Sequence, residues 1–114
     1  MTIQKHLRHW GLALLLVSSA SASFASTDAF SDAVQAQAEH RYALALDNFL
    51  IAAQEGNLEA QRRAGLMLLY GEQVYGLEIK QNRPLAFRLL KQAADNGCEL
   101  SQHMLKKHSK LASV

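Results

Sequence analysis

The sequence predicts an all-α chain: a short α-solenoid of antiparallel helix hairpins, with about five helices after a signal peptide. Three observations predict it. Sustained apolar–polar alternation is absent, and Ala, Leu and Gln dominate in place of β-branched and aromatic residues. The stretch Gly56–Gly71, read as a helix, lines up Ala60, Ala64, Met67, Leu68 and Gly71 on one narrow face of mostly small residues, so a neighbouring helix backbone can come close. Shifting the chain by 41 residues lays Leu44 on Leu85, Ala45 on Ala86, Ala52 on Ala93, Ala53 on Ala94, Gly56 on Gly97 and Gln61 on Gln102. Periods of this size belong to stacked helix hairpins.

The first 25 residues read as a signal peptide rather than as part of the domain. Lys5 and Arg8 make a positive start, and the apolar run Leu12 to Val17 is too short to span a bilayer. Small residues follow, and the alternation in Ser23-Phe24-Ala25 favours cleavage after Ala25. An uncleaved anchor is the alternative. No Cys near the cleavage point offers a lipid attachment site. Cleavage leaves 114 − 25 = 89 residues, enough for one domain over 26–108 with a frayed tail at 109–114. It also removes two of the 12 Lys and Arg and none of the 10 Asp and Glu, leaving 10 against 10. The basicity is a targeting feature and gives no argument for nucleic acid or an anionic membrane. Export implies a periplasmic or secreted protein that meets the membrane only transiently, through its leader.

The elements then follow in order. Ser26 or Thr27 caps a short helix from Ala29 to about Glu39, with Asp28 in its first turn. Residues 40–42 are either a turn or a continuation, since neither Gly nor Pro forces a break. Arg41 to Gln54 carries Tyr42, Ala45, Phe49, Ala52 and Ala53 on one face, and Gly56 stops it. Asn57 caps the central helix, which ends near Tyr70-Gly71, and Glu59 suits its positive end. Residues 72–82 read as a loop. Asn82 caps the next helix, Pro84 sits in its first turn, and Asn96-Gly97 ends it. A last helix runs from Glu99 to about Lys107.

On these residues the chain resembles the Sel1-like repeats, relatives of the tetratricopeptide repeats. Ala60, Gly65, Gly71, Val74, Ala86, Ala93, Ala94 and Gly97 fall on the repeat's positions, and Asn82 stands where the family has Asp. Ala64 replaces Leu, Leu68 replaces Tyr, Gln73 replaces Gly, Leu85 replaces Lys and Leu89 replaces Trp. Seven residues separate Val74 from Asn82 where the pattern has two, which lengthens the repeat to 41. The resemblance covers one unit, 60–97, with a partial unit before it and a first helix after it. It implies a superhelical stack used for protein–protein contact, without a catalytic centre, and assigns Ala60, Ala64, Gly65, Gly71, Ala86, Ala93, Ala94 and Gly97 to packing between helices.

Nothing in the sequence compels an enzyme, a cofactor or a metal. Of the three histidines after the leader, His103 and His108 are five apart and do not share a helix face, and His40 is remote, so all three read as surface residues. Cys98 cannot form an internal disulfide. It opens a helix, where a thiol's pKa falls, but a buried thiol is the plainer reading. The acids lie at helix ends and in the loop, where solubility and the helix dipole account for them. Arg62 and Arg63 lie opposite the small face and either form a strip for an acidic partner or are simply solvated. Loop 72–82 is longer than the repeat needs. Val74, Tyr75, Leu77 and Ile79 either face a partner or, for Tyr75 and Ile79, tuck back as a plug.

The expected function is binding another protein, with Tyr75, Ile79, Arg62, Arg63 and Tyr70 as candidate contacts and self-association as a way to extend a small core. The alternative is an inhibitor, immunity or enzyme-accessory protein acting through loop 72–82.

Overall fold

The computed structural model describes residues 28–112, and the regular structure among them is entirely helical. The leader 1–25, its cleavage point and the proposed caps Ser26 and Thr27 lie outside the described residues. Six helices follow one another: α1 (Ala29–Ala38), α2 (Tyr42–Gln54), α3 (Leu58–Tyr70), the single-turn α4 (Glu72–Tyr75), α5 (Arg83–Asp95) and α6 (Glu99–Ala112). The added element is α4, inside the stretch that reads as loop. No helix among the described residues is long and apolar enough to cross a membrane.

Helix starts follow local chemistry. Asp28, rather than a residue before it, caps α1 and accepts from the Phe30 N–H at 3.4 Å. Asn57 accepts from the Ala60 N–H at 2.9 Å, and Asn82 from the Leu85 N–H at 3.2 Å. Each satisfies a donor that the helix itself cannot.

Helix stops repeat one device. At Gly56 the chain turns so that its N–H reaches Ala53 O and the Asn57 N–H reaches Ala52 O, both at 3.1 Å. At Gly97 the same two bonds run to Ala94 O at 3.1 Å and from Cys98 to Ala93 O at 3.0 Å. This is the Schellman closure. The break after α1 uses it too, without glycine. His40 adopts φ +59°, its N–H reaches Gln37 O at 3.0 Å, and the Arg41 N–H reaches Ala36 O at 2.9 Å. A left-handed non-glycine costs roughly 1–2 kcal/mol. The hydrogen bond between His40 Nδ1 and the Tyr42 hydroxyl, 2.9 Å, offsets part of that cost. The absence of Gly and Pro left this break undecided, and the fold makes it a turn.

Packing is sequential: α1 against α2, α2 against α3, α3 against α5, and α5 against α6. Helix α3 also touches both outer helices, through Arg63 to Gln37 on α1 and Tyr70 to His108 on α6. It is therefore buried over more than the narrow face its small residues mark, and Gln61, Gly65 and Leu69 are buried as well. Phe49, Met67, Ile79 and Leu90 are the bulkiest fully buried apolar side chains, set among alanines of α1, α2, α3 and α5. Burying one such large side chain contributes about 1.5–3 kcal/mol, whereas each alanine contributes little and mainly permits closeness. At Gly65 a Cβ would lie 2.9 Å from Leu90 Cγ and 3.2 Å from Ala86 O, so α3 and α5 meet at nearly bare backbone.

The internal repeat has a hydrogen-bonded signature. Gln61 Nε2 donates to Ala53 O at 3.2 Å, and Gln102 Nε2 donates to Ala94 O at 3.0 Å. Donors and acceptors are each 41 residues apart, so both units use the next helix to satisfy a carbonyl at the end of the preceding one. Helix α6 runs to Ala112 instead of ending near Lys107, because no Gly or Pro stops it and basic residues suit its C-terminal end.

The two glutamines differ in exposure, Gln61 being buried and Gln102 exposed. Gln61→Ala therefore removes a buried hydrogen bond to Ala53 O, which keeps its bond from the Gly56 N–H, and lowers unfolding free energy by about 0.5–1.5 kcal/mol. Gln102→Ala, where water replaces the amide, changes it by roughly 0.5 kcal/mol or less. Urea denaturation followed by circular dichroism measures both. Equal losses would show that the bond at Gln61 carries no special weight.

Candidate functional site

The segment between α3 and α5 is the most elaborate connection in the described residues, and it begins at Gly71. Gly71 takes φ +53° and ψ −133°, and a Cβ there would lie 2.7 Å from Gln81 N. Only glycine permits both the backbone conformation and that approach. The returning chain then closes the end of α3. Gln81 Nε2 donates to Leu69 O at 2.7 Å, and the Asn82 N–H donates to Leu68 O at 2.8 Å. Asn82 thus closes one helix with its backbone and opens the next with its side chain. Ile79, 1% exposed, is a plug in the core. It has no surface to offer a partner, so its role is to hold the segment down.

What the plug leaves outside is apolar. Val74 is 59% exposed and Leu77 is 84% exposed. Val74 lies on α4 and Leu77 just beyond it, on either side of Gly76, with Glu72 and Glu78 nearby. Tyr75 is half-buried and meets Tyr42 edge-on at 5.4 Å between ring centroids. Burial pushes the Tyr75 phenol above its ordinary value, and Tyr42 and Tyr70 add to this. Arg62 and Arg63 pull it down without cancelling the rise, so the hydroxyl stays protonated and able to donate.

Arg62 and Arg63 form neither a free strip nor a solvated face. Both clasp Glu59: Arg62 through Nε at 3.1 Å and through Nη2, Arg63 through Nε at 2.7 Å. Arg63 Nη1 also donates to Gln37 Oε1 at 2.9 Å, and its guanidinium lies 5.9 Å from the Phe30 ring centre and 5.7 Å from that of Phe49. Their side chains are only 16% and 32% exposed. Burial raises the Glu59 carboxyl, but the hydrogen bonds and charges of the two arginines outweigh it and hold the group below its ordinary 4.5. A cavity of about 160 Å³ remains between Gln37, Arg62, Arg63, Leu66 and Tyr75, on one flank of the segment. A cleft of about 340 Å³ lined by Tyr70, Glu72, Gln73, Lys80 and Gln81 lies beside the segment as well.

The remaining candidates disperse. Tyr70 is half-buried and stacks edge-on with His108 at 6.2 Å. His108 is not a surface residue: it is 8% exposed, packs also on Phe87 at 6.4 Å, and its Nε2 has no hydrogen-bond partner among the described residues. His40 and His103 are exposed. Cys98 is half-buried and its Sγ accepts from Ser101 Oγ at 3.2 Å. Among the described residues no group of three His, Cys, Asp or Glu is placed to hold a metal. Of the residues assigned to packing, Ala60, Ala64, Gly65, Gly71, Ala86, Ala93 and Ala94 are buried, while Gly97 is exposed and turns the chain.

No protein-family model matches the chain, and neither a curated protein nor a solved structure matches it. The sequence offers two readings of the loop, a surface facing a partner or a plug formed by Tyr75 and Ile79; the fold buries Ile79, leaves Tyr75 half-buried and exposes Val74 and Leu77.

Gly71→Ala forces both a strained backbone and a collision with Gln81. It lowers stability by about 2 kcal/mol or more and frees the segment to early proteolysis. Denaturation and limited proteolysis read the two effects, and an unchanged digestion pattern would mean the segment is anchored elsewhere. The depressed Glu59 carboxyl contributes stability that is complete above its ordinary value and is lost as pH falls below it through the folded value. Glu59→Gln therefore destabilises the protein at pH 7 and narrows the loss between pH 7 and pH 3. Urea midpoints at the two pH values test this, and a loss as large as that of the unaltered chain would contradict it.

Proposed function

We propose that this chain is an exported protein-binding module, a short Sel1-like stack of helix hairpins that presents the segment between α3 and α5 to another protein. One observation carries this reading: the segment is pinned at both ends and in its middle, yet two large apolar side chains project from it. Gly71, Gln81 and Asn82 fasten the ends, Ile79 the middle, and Val74 and Leu77 remain outside. A floppy loop loses entropy when it docks, whereas a fastened one has lost it during folding, so more of the contact energy appears as affinity. The mechanism is presentation, with no bond made or broken.

The hairpin-stack reading rests on the 41-residue repeat, on sequential helix packing and on the paired glutamine bonds. The leader's charge, length and small-residue flank support export to the periplasm or beyond. A second reading, an inhibitor or enzyme-accessory protein, draws on the exposure of Leu77 beside Gly76, a shape able to enter a partner's cleft.

The test is a photo-crosslinking residue at Glu78, beside the projecting side chains, in cells exporting the full chain. A defined crosslinked partner is expected. Val74→Ser with Leu77→Ser weakens capture by about tenfold or more, since two apolar contacts are lost, while helicity and melting temperature stay unchanged. Undiminished capture by the double variant sinks the proposal. Loss of a hydrolase's activity on stoichiometric mixing singles out the inhibitor reading.

A further inference from the structure

The cavity beside the segment has a chemistry of its own, and the geometry points to a site for a carboxylate side chain of the partner polypeptide, held by Arg62, Arg63 and Tyr75. The inference rests on the binding reading above and names what the partner must carry. Two guanidinium groups share one carboxylate, Glu59, so the wall of the cavity keeps one uncompensated positive charge. That charge is held in place. Arg63 is anchored by Glu59, by Gln37 and by the faces of Phe30 and Phe49, and Arg62 is held by two bonds to the same carboxylate. Arg62 keeps Nη1 unused in these bonds, and Arg63 keeps Nη2. The Tyr75 hydroxyl makes no hydrogen bond among the described residues and, as a neutral phenol at pH 7, is free to donate.

The dimensions match the charge. About 160 Å³ accommodates roughly five water volumes, enough for a carboxylate on a short aliphatic stem. Half-buried Leu66 in the wall suits the methylenes of that stem. A single surplus charge balances a monoanion, whereas a phosphate would bring nearly two. Guanidinium groups bind carboxylates through parallel hydrogen bonds, and a partly desolvated site strengthens them. Tyr75 is next in sequence to exposed Val74, so the acid would sit beside an apolar contact. The recognised feature is an acidic residue flanked by apolar ones.

The test titrates the nitrogen-15-labelled full chain with two short peptides blocked at both ends, Leu-Glu-Leu and Leu-Gln-Leu, and separately with inorganic phosphate. The Glu peptide is expected to shift the Arg62 and Arg63 Nε–H and Tyr75 amide signals and to bind at least about tenfold tighter than the Gln peptide. That preference shrinks with added salt and disappears in Arg62→Gln, whose native fold is checked by the unchanged remainder of the spectrum. Equal binding of the two peptides, shifts elsewhere, no shifts at millimolar peptide, or tighter binding of phosphate each overturns the inference. If the peptides fail while Val74→Ser with Leu77→Ser still abolishes crosslinking, the carboxylate site is wrong and the binding reading stands. If the crosslink survives that double substitution, the binding reading fails whatever the peptides do.

Discussion

The close approach of α3 and α5 is the constraint on which the rest of the structure depends. At Gly65 there is no room for a Cβ between the helix and Leu90, and Ala60, Ala64, Ala86 and Ala93 are all buried without exposure. Such a core gains little per side chain from water release, because alanines have little apolar surface. It gains from density, since many atoms sit at contact distance, and from leaving no gap. A core of this kind tolerates few enlargements. It also fixes the positions of α3's outer residues closely, and those residues are the ones that define the cavity and hold the segment after Tyr70.

Polar groups reinforce that frame at places where apolar contact is unavailable. Carbonyls near helix ends are under-satisfied, and in this chain side chains from the next element donate to them: Gln61 to Ala53 and Gln102 to Ala94, beside the Gly56 and Gly97 N–H groups, and Gln81 to Leu69. The Glu59, Arg62, Arg63 and Gln37 network ties α3 to α1, with Phe30 and Phe49 as a platform. An arginine used this way packs as much as it pairs. The same two arginines line the cavity beside Tyr75, so the residues that tie α3 to α1 also form its wall. His108 is the exception, a buried ring with an unpartnered nitrogen between Tyr70 and Phe87.

The caps at Asn57 and Asn82, the stops at Gly56 and Gly97 and the small buried face were legible in the sequence because their causes are local. Each cap bonds a residue three positions away, Gly56 and Gly97 stop helices within one turn, and the spacing of Ala60, Ala64 and Met67 follows from 3.6 residues per turn. The break at His40 was not legible, since the left-handed turn there is made by a residue that seldom adopts it. For Ile79 the sequence left a partner contact and a plug both open, and the fold makes it the plug while Val74 and Leu77 face out. The sequence left the arginines open between a partner strip and a solvated face because the residues that hold Arg63 include Gln37, 26 positions earlier, and the ring of Phe30.

By itself, then, the sequence determined the helical class, the 41-residue spacing and the helix ends at Gly56, Asn57, Asn82 and Gly97, all of which depend on neighbours within a turn or on self-similarity. Only the tertiary structure decided that Ile79 and His108 go inside, that Val74 and Leu77 stay out, and that Arg62 and Arg63 turn toward Glu59 around a cavity. The physical reason is that burial and charge pairing are set by which distant residues come into contact, and contact depends on how closely α3 can approach its neighbours.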